Sequence, residues 1–128
     1  MKESLDLIKA ILSDAPELRE VYEDHRFHNR EVLPHVLMGD IVRFVIENLE
    51  NQDWQPSLVR LLAHLEEGLR KGIQEINDLI GTSFAENLIG EPGGLRSLWP
   101  LMGPLLKKDV ENFCGTEWMN KDDAKGAT

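Results

Sequence analysis

Residues 34–50 read PHVLMGDIVRFVIENLE. Pro34 suits the first turn of a helix, where its missing N–H costs nothing. From there Val36, Leu37, Met38, Ile41, Val42, Phe44, Val45, Ile46 and Leu49 cover more than half of a helical circumference. At about 100° per residue, Asp40, Arg43, Glu47 and Glu50 share the one remaining strip, roughly 80° wide. A helix that is apolar on so many sides must be covered on several of them. It is therefore expected to be the central helix of an all-α bundle.

The flanking sequence supplies the cover. Leu5, Ile8, Ile11 and Leu12 mark a helix over about residues 3–13, stopped by Pro16. Leu18, Val21 and Tyr22 predict a short helix over 17–24. Residues 25–31 show no periodicity and are expected to loop. After Pro56, the residues Leu58, Leu61, Leu62, Leu65 and Leu69 follow the i, i+3, i+4, i+7, i+11 stripe of one buried face to about Arg70. A further helix over 73–88 buries Ile73, Ile76, Leu79, Ile80, Phe84 and Leu88. Gly81 inside it is a candidate kink, since a helical glycine costs about 1 kcal/mol relative to alanine. Gly90 to Gly94, with Pro92, form the clearest break, followed by a short turn at 95–99. A last helix runs from Leu101 or Pro104 to Cys114, with Met102, Leu106, Val110 and Phe113 inward. Strand-type alternation is nearly absent. The fold class is thus all-α, a single-domain bundle of five to six helices arranged as antiparallel hairpins over residues 1–114. A polar C-terminal tail, 115–128, has only Trp118 and Met119 to bury and is expected to fray.

Composition narrows the function. The 128 residues carry 23 acidic and 14 basic side chains, a formal charge of −9. Residues 1–64 hold 12 acidic and 7 basic residues and residues 65–128 hold 11 and 7, so the acidity belongs to the whole fold. Nucleic-acid binding requires clustered Lys and Arg and is excluded as an expectation. The longest apolar-rich stretch, Val32 to Leu49, is interrupted by His35, Asp40, Arg43 and Glu47, so no membrane span is expected. No cationic start leads into an apolar run, so the expected location is cytoplasmic. A lone Cys114 excludes an internal disulfide framework, and its place beside Phe113 reads as a small buried residue.

Catalytic patterns are missing. Ser83 lacks the G-x-S-x-G turn that exposes a nucleophile. Gly90, Gly93 and Gly94 follow no strand and precede no phosphate-loop lysine. His25, His28 and His35, with Asp24 and Glu31, surround the unpatterned segment, and His25, His28 and Glu31 are the donors a metal-binding regulator or metal-dependent hydrolase would use. The paired short ligand spacings of zinc sites are nonetheless absent, so solvated histidines are the expectation, with no metal and no cofactor. His64 shares a polar face with Arg60, Glu67 and Lys71.

Carboxylates offer a different possibility. Glu17, Glu20 and Asp24 recur at i, i+3 and i+7 of the second helix and line up on one exposed face, with Arg19 placed to pair with Glu23. Such a face serves either as a solvated surface or as the protein-binding site for a basic partner, where it raises association rate and specificity. Asp40, Arg43 and Glu47 form a second, nearly charge-balanced strip within side-chain reach of one another. Trp54 and Trp99 suit either an interface anchor or the capped ends of a core.

The motifs Leu33-Pro34-His35 with Gly39-Asp40 and Phe44, Ser83-Phe84 with Glu86-Asn87-Leu88, and Gly103-Pro104 with Leu106-Lys107 resemble those of a family of small all-helical bacterial proteins known as a domain of unknown function. The resemblance covers about residues 5–114. It implies a compact cytoplasmic helical domain, and some members look like immunity proteins that accompany secreted toxins. It brings no catalytic residues and does not explain the tail. The resulting expectation is a non-enzymatic protein-binding module, most specifically an immunity-type inhibitor of a bacterial toxin or a similar regulator, for which a monomer is adequate.

Overall fold

The structure, a computed structural model, describes residues 2–90 and 92–115, the side chains of Pro92 and Cys114 excepted. Among them every regular element is helical: α1 (Lys2–Asp14), a 3-10 turn (Pro16–Leu18), α2 (Arg19–Asn29), α3 (Pro34–Glu47), a 3-10 turn (Gln52–Trp54) and α4 (Gln55–Arg70) come first. Next, α5 (Gln74–Asp78) runs through a π-helical segment (Leu79–Ala85) into α6 (Glu86–Ile89). The described chain closes with α7 (Pro92–Leu98), a 3-10 turn (Trp99–Leu101) and α8 (Pro104–Cys114). Of the expected tail, 115–128, residues 116–128 lie outside the described residues, as does the Cys114 side chain.

One continuous apolar core joins these elements. Leu37, Met38, Ile41, Val42 and Val45 bury the inner face of α3, and Leu58, Leu61, Leu62 and Leu65 that of α4. Each set repeats at three and four residues, the spacing of one helical stripe. Helix α3 packs on the π-helical segment and on α2, while α4 packs on α1 and α8. Trp54, a candidate interface anchor by sequence, is 1% exposed and meets Phe44 edge-on at 5.0 Å, so it belongs to the core. Trp99 is half-buried, with the Lys107 ammonium 5.6 Å above its ring.

Three sequence expectations need correction. The segment 25–31 is not a loop: α2 continues to Asn29 and ends at Arg30, whose φ of 64° is left-handed while its N–H reaches Arg26 O. The hidden reason is His25, which occupies the buried stripe one turn after Val21 and is 3% exposed. The break at Gly90 to Gly94 is shorter than expected, because Pro92 opens α7 at a position where proline is tolerated. Phe113 continues the stripe of Leu106 and Val110 but is 42% exposed.

Side chains from one helix close the open ends of another. Glu66 of α4 accepts hydrogen bonds from the Leu105 and Leu106 amides, both at 2.9 Å, and so caps the start of α8. Glu75 accepts from the Ser4 amide at the start of α1, at 2.6 Å. At the other end of α1, Arg60 Nε donates to Asp14 O at 2.7 Å and His64 Nε2 to Asp14 Oδ2 at 2.6 Å. The Arg60 cation there also complements the helix dipole.

Candidate functional site

A cleft of about 450 Å³ opens between α2 and α3. Helix α2 contributes Val21, Asp24, His25 and His28, and α3 contributes Val36, Asp40, Arg43, Phe44 and Glu47. Asp24, one of the three aligned carboxylates, and the α3 strip therefore face one space. A second groove, of about 390 Å³, lies on the other flank of the α3 strip and shares Arg43 and Glu47 with the first, with Gly39 and Asn87 at its floor.

The floor of the larger cleft is an imidazole. His25 Nε2 accepts from the Leu33 amide at 2.9 Å, which satisfies the donor at the entry to α3. Because that nitrogen is an acceptor, the proton of the neutral ring resides on Nδ1. Asp40 Oδ2 lies 3.5 Å from Nδ1, and Asp40 Oδ1 lies 3.5 Å from Arg43 Nη1. The pairing of His25 with Asp40 resembles the base and orienting acid of a catalytic set, but the distal nitrogen that would accept a proton is occupied by the backbone. The arrangement positions groups; it does not present a general base.

The candidate residues disperse in instructive ways. Glu17, in the 3-10 turn before α2, is exposed but tied down: it accepts from Ser57 Oγ at 2.7 and 3.0 Å, and Arg60 Nη2 donates to the same hydroxyl at 3.0 Å. Glu20 and Asp24 remain exposed on α2. Arg19 forms no ion pair with Glu23. The histidines have separate duties: His28 Nδ1 contacts Asp24 O at 2.8 Å, and His35 Nδ1 meets Ser83 Oγ at 2.5 Å. Among the described residues no three His, Cys, Asp or Glu side chains are grouped to hold a metal ion. Glu31 is exposed within the α2–α3 connection.

Two of the three motifs that carried the family resemblance meet each other, and the third meets α4. His35 meets Ser83, Gly39 lies against Asn87, and Gly103 lies against Glu66. A family model, "Domain of unknown function (DUF7674)", matches residues 8–120. The chain belongs to the DUF7674 family. No curated protein and no solved structure matches it. In this DUF7674 domain the matched span includes the whole α2–α3 cleft. No described helix is long and apolar enough to cross a membrane.

One further group stands apart. Asp109 on α8 faces Gly81 of the π-helical segment at 3.6 Å from the position a Cβ would take, and its buried Oδ2 has no hydrogen-bond partner. Burial pushes its carboxyl above the ordinary 3.8. It lines neither groove, and at neutral pH its burial without a partner costs the fold stability.

Proposed function

We propose that this DUF7674 domain is a non-enzymatic protein-binding module of the bacterial cytoplasm, most specifically an immunity-type inhibitor of a toxin or a similar regulator, with a basic protein as its partner. The observation that carries the reading is a set of carboxylates on one side of the molecule that the fold leaves unneutralised. Glu20, Glu23, Asp24 and Glu47 are exposed and make no ion pair among the described residues. The formal charge of −9 adds a long-range field of the same sign. Such a field accelerates encounter with a cationic partner and weakens as salt is added. We read α3 as the bundle's central helix, whose polar strip Asp40, Arg43 and Glu47 borders the cleft. Glu20 and Asp24 then form the docking row, with Glu17 as its anchored end.

The test is co-expression with the product of each neighbouring reading frame, scored by rescue of growth and by co-purification at low and high salt. One neighbour is expected to be toxic alone, neutralised by this chain, and released by salt. Replacement of Glu20 and Asp24 by Lys should weaken that complex. Neighbours that are neither toxic nor bound would defeat the immunity reading, and a complex indifferent to both substitutions would remove the row as its docking surface.

A further inference from the structure

The outer face of α2 carries a charge pattern that the chain leaves unmatched. Arg19, Glu20, Asp24, Arg26, Arg30 and Glu31 are all exposed, and none forms an ion pair among the described residues. About the helix midpoint at His25 their signs invert: Asp24 answers Arg26, Glu20 answers Arg30, and Arg19 answers Glu31. His25 is the buried position, so the outward centre of the helix lies opposite it. At about 100° per residue, Glu23 and Phe27 straddle that centre at about 20°, Glu20 and Arg30 at about 40°, Arg19 and Glu31 at about 60°, and Asp24 and Arg26 at about 80°. Arg30 closes the last turn through its N–H to Arg26 O, and Glu31 follows directly. The helix dipole accounts for an acid near the start and a base near the end. Arg19 and Glu31 run against the dipole and still obey the inversion. Beside the centre stands Phe27, 81% exposed, more than any other large hydrophobic residue described, with the His28 ring edge-on at 5.4 Å. Arg26, on the flank, rests 5.9 Å from the centre of the Tyr22 ring.

We propose that this face is an isologous interface with a second copy of the chain, the two α2 helices lying end for end about a two-fold axis opposite His25. The inference goes beyond the protein-binding reading and does not depend on it. A two-fold axis there sets each residue against the one equally far from His25 in the other copy. Glu20 then faces Arg30, Asp24 faces Arg26 and Arg19 faces Glu31, each pair occurring twice, and no like charges within residues 19–31 are opposed. Phe27 meets the hydrocarbon stem of Glu23 of the second copy, and the two Phe27 rings flank the axis, at the centre of the contact where aromatic anchors contribute most. Within one chain Glu20 with Asp24 and Arg26 with Arg30 are like-charge neighbours at i, i+4, an arrangement that opposes a helix; the second copy brings the opposite charge to each. The face as a whole holds four acids and three bases, so its selectivity lies in the matching of sign by position, which a second copy reproduces at every pair. A contact confined to one helix face falls in the small, transient class, below about 1,200 Å², and forms as protein concentration rises. Glu20 and Asp24 also belong to the proposed docking row, so a basic partner seated there and a second copy exclude each other.

The experiment is sedimentation velocity of the full chain over a concentration series, repeated with charge-swapped variants whose helical circular dichroism matches the wild type. The wild type is expected to move from monomer to dimer as concentration rises. Glu20→Arg sets arginine against arginine at both contacts between positions 20 and 30, and Arg30→Glu sets glutamate against glutamate, so each variant alone should stay monomeric. An equimolar mixture of the two restores opposite charges at both contacts and should dimerise as the wild type does. Only a contact that pairs position 20 with position 30 across two chains gives this pattern. Phe27→Ala should weaken the dimer about tenfold or more, whereas Val59→Ala, at a half-exposed position on α4, should change it less than twofold. A wild type that remains monomeric throughout, a dimer indifferent to Phe27→Ala and to both swaps, or a mixture that fails to associate would overturn the proposal. Neutralisation of a toxic neighbour by a strictly monomeric chain would leave the protein-binding reading standing without the second copy, and a dimer with no such neighbour would do the reverse.

Discussion

Gly103→Ala isolates one interaction that the sequence marks and the structure explains. A Cβ on Gly103 would lie 2.5 Å from Glu66 Cδ and Oε1, and 2.8 Å from Cγ. No flexible retreat is free, because the same carboxylate holds the Leu105 and Leu106 amides at 2.9 Å. The backbone itself is permissive, with φ −76° and ψ 172° open to any residue. The glycine is thus required by what lies against it. Loss of a capping side chain costs about 0.5–2 kcal/mol, and two charge-assisted bonds at a half-buried site place the expected cost of Gly103→Ala at about 1–2 kcal/mol. In a Glu66→Ala background the obstacle is gone. There the entropic gain of replacing glycine, about 0.4–1 kcal/mol, is offset by alanine's poor service at the start of a helix, and Gly103→Ala should fall within about 0.5 kcal/mol of neutral. The double-mutant cycle, measured by urea denaturation with circular dichroism, should return a coupling of about 1–2 kcal/mol. Equal costs in the two backgrounds would refute the argument that Glu66 dictates the glycine.

Other expectations follow from the same geometry. Asp109 has a raised carboxyl value in the folded state, so the fold binds its proton more tightly than the unfolded chain and loses stability as pH rises through that value. Asp109→Asn should therefore melt above the wild type at pH 7, with the gap closing below about pH 4; identical melting temperatures across this range would contradict it. His25→Ala strands the Leu33 amide and opens a cavity, for a loss of about 2–4 kcal/mol in chemical denaturation, whereas His35→Ala at an exposed ring should cost about 1 kcal/mol or less. Ser57→Ala frees Glu17 and Arg60 together and should cost about 1 kcal/mol, a value that a carboxylate already solvated in the native state would not produce.

How far the sequence reached depended on whether a residue's chemistry agreed with its place. The stripes of α3 and α4 are legible because apolar residues fill nearly every inward position, so period and composition say the same thing. Helix α2 reads short in the sequence because its inward stripe passes through His25 and Asn29, polar residues that bond to Leu33 and the backbone. The spacing from Leu18 through Val21 to His25 carried the signal, and polarity masked it. The π-helical segment left only Gly81 as a trace, since its bonding shifts register without altering which residue types are apolar. Both sides of the cleft could be named from the sequence, Asp24 on one helix and Asp40, Arg43 and Glu47 on the other. Their meeting could not, because it depends on how α2 folds back on α3 after Arg30. Glu66 was invisible for a similar reason: its amide partners lie 39 and 40 residues away.

That distinction separates what family membership carries from what it leaves open. The residues through which the chain resembles its family are spent largely on contacts between elements: His35 on Ser83, Gly39 on Asn87, Gly103 on Glu66. Contacts of this kind fix the angle at which α3 meets the π-helical segment and the place where α8 begins, so they specify a scaffold. Asp40 and Phe44 are the members of that set that also open on the cleft. The rest of its rim, Asp24, Arg43 and Glu47, contributes no capping bond and no buried packing, and each can be exchanged at little cost to the fold. The exposed carboxylates on which the proposed protein-binding role rests are thus separate from the contacts that set the scaffold. Exchanges of Asp24 and Glu47 to Lys are therefore expected to weaken co-purification with a basic partner without altering the melting temperature, and a fall in melting temperature would place them among the scaffold contacts instead.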